Sequence, residues 1–200
     1  MHRRAFLTGL CGAVVLPAVA SAQAATRRVY GRIVGFDGTR LTIRTATGGE
    51  IAVTVPADLP IGAVAERKLS DIAAGDYVGS AAMKGTDGRL HAQEVHVFRP
   101  EQRGVGEGHR PMDLPEQTMT NATVAEVAAP ASGGVLRLKY PGGEQTILVG
   151  PEARVVALVA GDRGLLKPGA TVRVIAQSGA DGMPVARSIQ AERDGVPPLE

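Results

Sequence analysis

Tryptophan is absent from this sequence, and only three phenylalanines, three tyrosines and one cysteine occur in 200 residues. So few aromatics leave no stacking platform for single-stranded nucleic acid. A single cysteine excludes an internal disulfide framework and any cysteine-rich metal centre. No apolar run reaches the length that a membrane-spanning helix needs. The longest, Phe6 to Ala20, has the length of a signal-peptide core and holds that cysteine, Cys11.

The N-terminus reads as an address. Arg3-Arg4 is followed by Phe6-Leu7, the pattern of a twin-arginine export signal. Small residues close the apolar run, and Ala20-Ser21-Ala22 or Ala22-Gln23-Ala24 supplies a cleavage site. Residues 1–24 are therefore expected to be a signal peptide cleaved near Ala22–Ala24. Leu10 before Cys11 is not the small residue that a lipoprotein site requires. Losing Arg3 and Arg4 leaves 20 of the 22 Lys and Arg against 20 Asp and Glu. The basic balance of the whole chain thus belongs to the signal and gives no argument for nucleic acid or an anionic membrane. The expected product is a periplasmic protein without an integral membrane segment.

What is abundant is glycine, 26 residues, with Val, Ile and Thr in short alternating runs. That pattern indicates small all-β domains. The chain also repeats itself. "LSDIAAGDYVGSAAMKGTDG" at 69–88 aligns with "RGLLKPGATVRVIAQSGADG" at 163–182, and "GRIVGF" at 31–36 resembles "ATVAEV" at 122–127. Each copy reads as five short strands with a long connection between the third and fourth. In the first copy these are about 28–36, 40–45, 50–55, 76–83 and 90–98, with Asp37-Gly38, Gly48-Gly49 and Asp87-Gly88 as turns. The expectation is two tandem five-stranded OB-like barrels, or SH3-like ones, at 27–98 and 121–195, joined by a loop at 99–120.

The G-x-[IV] opening, the "LSDI-x-x-GD-x-V" step and the closing "A-x-E-V-x-V" strand, with the central "GEGHRP" run, resemble an exported bacterial family of small β-barrel domains of unknown function. The likeness covers 28–98 well and 121–192 more loosely, and matches a two-domain subset. It implies a fold and a compartment. Some of those relatives carry names tied to metal transport, but a permease role has no spanning run to support it here.

The stretch Glu94 to Leu114 departs from the repeat. At the spacing of 94, Glu94 matches Ser188 and His96 matches Gln190. The barrel does not require the acid and the imidazole. Two residues apart on a strand, they share a face, and His109 follows past three glycines. Glu94, His96 and His109 are one candidate set for a divalent ion, zinc or copper; Met112 and Met119 are possible soft donors for copper(I). The other candidate is a recognition loop in which Arg103, Glu107, His109 and Arg110 dock an envelope protein or an anionic ligand. Loops of this length are usually functional when ordered. No cysteine nucleophile survives export, no serine is paired with a histidine by spacing, and "GVGEG" lacks the Lys-Ser/Thr of a phosphate loop. Neither an enzyme nor a bound cofactor is expected. The favoured reading is a binding or scaffolding protein.

Overall fold

A computed structural model describes residues 26–128, 133–179 and 181–199. The expected signal peptide, 1–24, with Cys11 and both candidate cleavage sites, lies outside the described residues. Among them no helix is long and apolar enough to cross a membrane.

The protein is all-β. In chain order the strands are β1 (Thr26–Phe36), β2 (Arg40–Thr45), β3 (Glu50–Thr54), β4 (Ile61–Glu66), β5 (Tyr77–Lys84), β6 (Leu90–Val97), β7 (Gly108–Pro111), β8 (Gln117–Ala128), β9 (Gly134–Tyr140), β10 (Gly143–Val149), β11 (Arg154–Ala160), β12 (Thr171–Ser178) and β13 (Pro184–Ala191). Short 3₁₀ turns at Leu69–Asp71, Pro100–Gln102 and Arg163–Leu165 join them. Turn chemistry sets the hairpins. Asp37 Oδ1 accepts from the backbone N–H of Thr39 and Arg40 at 2.8 and 2.6 Å, and Asp87 and Asp181 do the same for Arg89 and Met183. Gly75 and Gly169, at matching places before β5 and β12, both adopt positive φ, 93° and 87°. The first 3₁₀ turn is closed by Asp71, whose carboxylate accepts from Lys68 N.

The two copies are structurally matched. β5 and β12, β6 and β13, and the 3₁₀ turns at Leu69 and Arg163 each start 94 residues apart. A bulge at Ala81/Ala82 recurs at Ile175/Ala176, and one at Ile33/Gly35 recurs at Val124/Glu126.

Strand pairing crosses between the copies. The sheet runs β10-β9-β8-β5-β6-β11-β4-β13-β12-β1-β2-β3. At one end β10 returns to β6 through Ile147/Leu90 and Leu148/His91, closing a five-stranded barrel. At the other end β13 touches β3 through Val185/Thr54. So β1–β3 of the first copy are completed by β12 and β13 of the second, and β8–β10 of the second by β5 and β6 of the first. This differs from the expected separate closure of 27–98 and 121–195. The 99–120 run also has a different place. It joins β6 to β8, which both flank β5 in one ring, and part of it is strand β7 on the edge of β8.

The crossing is made by β4 and β11. Six extended residues carry the chain about 20 Å, which takes it from one ring to the other. Ile61, Ala63 and Val64 of β4 and Val156, Ala157 and Leu158 of β11 are buried. Strands apolar on both faces need partners on both edges. β4 obtains them from β13 and β11, and β11 from β4 and β6. The β4/β11 pair is antiparallel with Val64 opposite Leu158, residues that are 94 apart. A pseudo-twofold axis therefore passes through this pair. Val64, Val156, Leu158 and Leu199 form a small core there, between one centred on Leu41, Ile43, Val53, Val172 and Val174 and another on Val78, Val95, Leu136, Leu138 and Ile147.

This exchange has a direct consequence. Residues 26–98 and 100–199, prepared as separate chains, are each expected to fail to form a folded monomer and to recover the native spectrum on mixing at a one-to-one ratio. Heteronuclear NMR with sizing chromatography checks this; two independently folded monomers contradict it.

Candidate functional site: a cavity at the pseudo-twofold seam

Cross-strand register places two rows of side chains on one face of the barrel half. Arg110, Met119, Ala81 and Glu94 lie side by side across β7, β8, β5 and β6, and Arg154 of β11 lies beyond Glu94. The next row is Gly108, Asn121, Gly79 and His96. The other half presents its equivalent face. There Ser188, Ile175 and Arg28 form one row, and Gln190, Arg173 and Tyr30 the next. Between the faces lies a half-open cavity of about 360 Å³ lined by Glu94, His96, Asn121, Arg173, Ser188 and Gln190, with Phe98, Leu158, Ile175 and Leu199 as apolar walls. A second hollow of about 510 Å³ adjoins it through Ala81, Glu94 and Met112, and adds Arg28, Asp113 and Arg154.

His96 is 6% exposed. Its ring stands edge-on to Phe98, with centroids 4.8 Å apart, and leans over Gly79. A Cβ at Gly79 would fall 2.2 Å from His96 Nε2 and 2.8 Å from Asn121 Oδ1. The missing side chain is therefore what admits both groups. His96 Nδ1 lies 3.4 Å from Glu94 Oε1 but is not aligned for a hydrogen bond. Glu94 Oε2 accepts from Arg154 at 3.3 Å, and Arg154 also donates to Pro197 O.

Five buried side-chain polar atoms have no hydrogen-bond partner among the described residues: Ser80 Oγ, His96 Nδ1, Thr118 Oγ1, Asn121 Oδ1 and Gln190 Oε1. Three of these residues, His96, Asn121 and Gln190, line this one cavity. The amide of Asn121 is oriented by its Nδ2, which donates to Val105 O at 3.0 Å. The Arg173 guanidinium makes no hydrogen bond or ion pair among the described residues. Burial lowers its pKa and Arg28 lowers it further, while Glu94 opposes both.

The candidate residues from sequence separate into two groups. Glu94 and His96 meet in the cavity. His109 does not join them. It pairs with Thr120, then Ser80, then Val95, the neighbour of His96 on β6, so it lies on the opposite face of the sheet. Its Nδ1 is bonded to Thr120 Oγ1 at 2.8 Å. No three His, Cys, Asp or Glu side chains among the described residues are grouped to hold a metal ion. The zinc or copper set Glu94, His96 and His109 is therefore not assembled. In the recognition loop, Arg103 donates to Gly75 O at 2.6 Å and to Thr123 Oγ1, and lies 5.8 Å from the Tyr77 ring centre. Arg110 donates to Gly106 O at 2.8 Å. Tyr77 donates to Val105 O. These bonds tie the loop down as a wall of the cavity. Burial of the phenol raises the Tyr77 pKa, and the charge of the exposed Glu107 adds to it.

Asn121, Arg173 and Gln190 are not marked by any local motif. A signal existed in the repeat: Ser188 and Gln190 sit opposite Glu94 and His96 at spacing 94, and Arg173 stands where the first copy has Gly79. Comparison of the chain with protein-family models, curated proteins and solved structures returned no match.

Gly79→Ala should cost about 2 kcal/mol through overpacking and displace the His96 ring, read by urea unfolding and by the His96 ring resonances; unchanged resonances would contradict this packing. Burial lowers the His109 pKa. The unfolded chain then binds the extra proton first, so this contribution is present above the unfolded pKa and lost as pH falls. The urea midpoint should drop between pH 7.5 and pH 5, and less so in His109→Gln.

Proposed function

We propose that this chain is an exported, soluble, non-catalytic binding protein of the cell envelope, and that its ligand site is the seam cavity. The observation carrying the reading is that His96, Asn121 and Gln190, each with a buried polar atom lacking a hydrogen bond, all lie in the walls of one half-open cavity. An unpaired buried acceptor costs roughly 1–3 kcal/mol. Groups retained at that cost are explained when a ligand satisfies them. Export rests on Arg3-Arg4, the apolar run and the small residues near Ala22. We further read each ring as an OB-like barrel. In each ring a meander of three strands is completed by a hairpin from the other copy, and one strand of that hairpin runs parallel to the third of the meander, as β13 does to β3 and β6 to β10.

The Gln190 side chain makes no hydrogen bond among the described residues, so it gives a clean test. Gln190→Leu should raise the unfolding free energy by roughly 1 kcal/mol, measured in urea. It should also abolish any small-molecule mass retained by the chain in native mass spectrometry after purification from an envelope fraction. A variant that loses stability while the retained mass is unchanged would mean that Gln190 serves the fold alone.

A further inference from the structure

We propose that the seam cavity binds a small organic acid bearing hydroxyl or amine groups, its carboxylate received by Arg173 and its donor hydrogens by Asn121, Gln190 and His96. This rests on the cavity being the ligand site and names the class of ligand.

The charges carry the argument. Arg28, Arg154 and Arg173 line the two adjoining hollows with two carboxylates, Glu94 and Asp113, and of these Glu94 alone borders the cavity that Arg173 lines. Glu94 is already engaged by Arg154 at 3.3 Å. Arg173 is left as a largely enclosed cation with a free fork, pressed by the like charge of Arg28. A buried charge without a partner is costly, and a planar guanidinium is matched two-for-two by a carboxylate. The position is also a specific departure from the repeat. Its counterpart is Gly79, the residue whose bareness admits His96 on the facing wall. One wall thus provides a cation and the other the room and the acceptors.

The neutral groups narrow the class. Asn121 Oδ1 has its orientation fixed by the Val105 bond and can only accept. A ligand offering acceptor oxygens alone, such as sulfate, would leave it unpaired. A hydroxy acid or amino acid satisfies both kinds of partner. Phe98, Ile175, Leu158 and Leu199 suit a short carbon chain, and about 360 Å³ lies at the lower end of ligand-pocket sizes.

The test uses the purified chain with matched probes: malate, glutamate and N-acetylglutamate, each beside its amide counterpart, followed by titration in heteronuclear NMR. The expected result is saturable shifts around Asn121, Arg173 and Gln190 with the acids, and binding at least about tenfold weaker with the amides. Arg173→Leu should weaken the acids by a similar factor, and Arg173→Lys, which keeps charge without the fork, by less; the exposed control Arg137→Leu should change nothing. Thermal melts confirm that each variant is folded. Amides that bind as well as acids, or acids indifferent to both Arg173 variants, overturn the acid inference but leave the cavity as a ligand site. Inorganic phosphate displacing every acid overturns the organic class. No shift with any probe overturns both this inference and the binding reading.

Discussion

The antiparallel pairing of β4 with β11 holds this molecule together. Val64 faces Leu158 across a pseudo-twofold axis, and both are buried. Each such side chain contributes about 2 kcal/mol of burial. The topological effect is larger than the sum. The pair lets β4 leave one ring for the other, so each ring is finished by strands from the opposite copy. Neither copy can complete its own hydrophobic interior in this arrangement. Val29 and Ile33 pack with Val172, Val174 and Ala176, and Val78 and Val95 with Leu136, Leu138 and Ile147.

The same axis explains the cavity. A twofold seam brings the same surface of two copies face to face. Identical faces would meet with identical side chains, placing like beside like. Here the faces have diverged. Glu94, His96 and Gly79 on one side correspond to Ser188, Gln190 and Arg173 on the other. Small residues, Gly79 and Ala81, leave space on one wall, and a long cationic side chain occupies part of it from the other. Duplication thus provided a frame in which the seam, buried yet not needed for either core, could take polar groups. The loop after β6 closes the space. Tyr77 and Asn121 both donate to Val105 O and fix it at the edge, and the loop's own Arg103 donates back to Gly75 O.

Much of the local structure was legible in the sequence. Alternation located ten strands, because their inward residues, such as Leu41, Ile43 and Val53, recur every second position. Asp-Gly and Gly-Gly pairs located the hairpins. β4 and β11 escaped because they are apolar on consecutive residues, which looks like a connection's patch when strands are sought by alternation. β7 escaped because it contributes backbone pairing and little burial. The exchange of strands was not legible, since identical pairings can be made within a copy or between copies. At the site, Glu94 and His96 were visible as departures from the repeat. Their partners were not, because Arg173 and Gln190 are ordinary residues that matter only once the copies face each other. His109 misled because spacing along a glycine-rich loop says nothing about which face of the sheet it reaches.

The central claim is that the two copies exchange strands about the Val64/Leu158 axis and thereby build the seam. Cross-strand nuclear Overhauser contacts in the isotope-labelled chain test it most directly. Contacts joining Gly31 with Val172, Val78 with Ala122 and Val64 with Leu158 are the predicted result. Contacts joining Gly31 with Val78 and Ala122 with Val172, the pairings of two self-contained barrels, would contradict it.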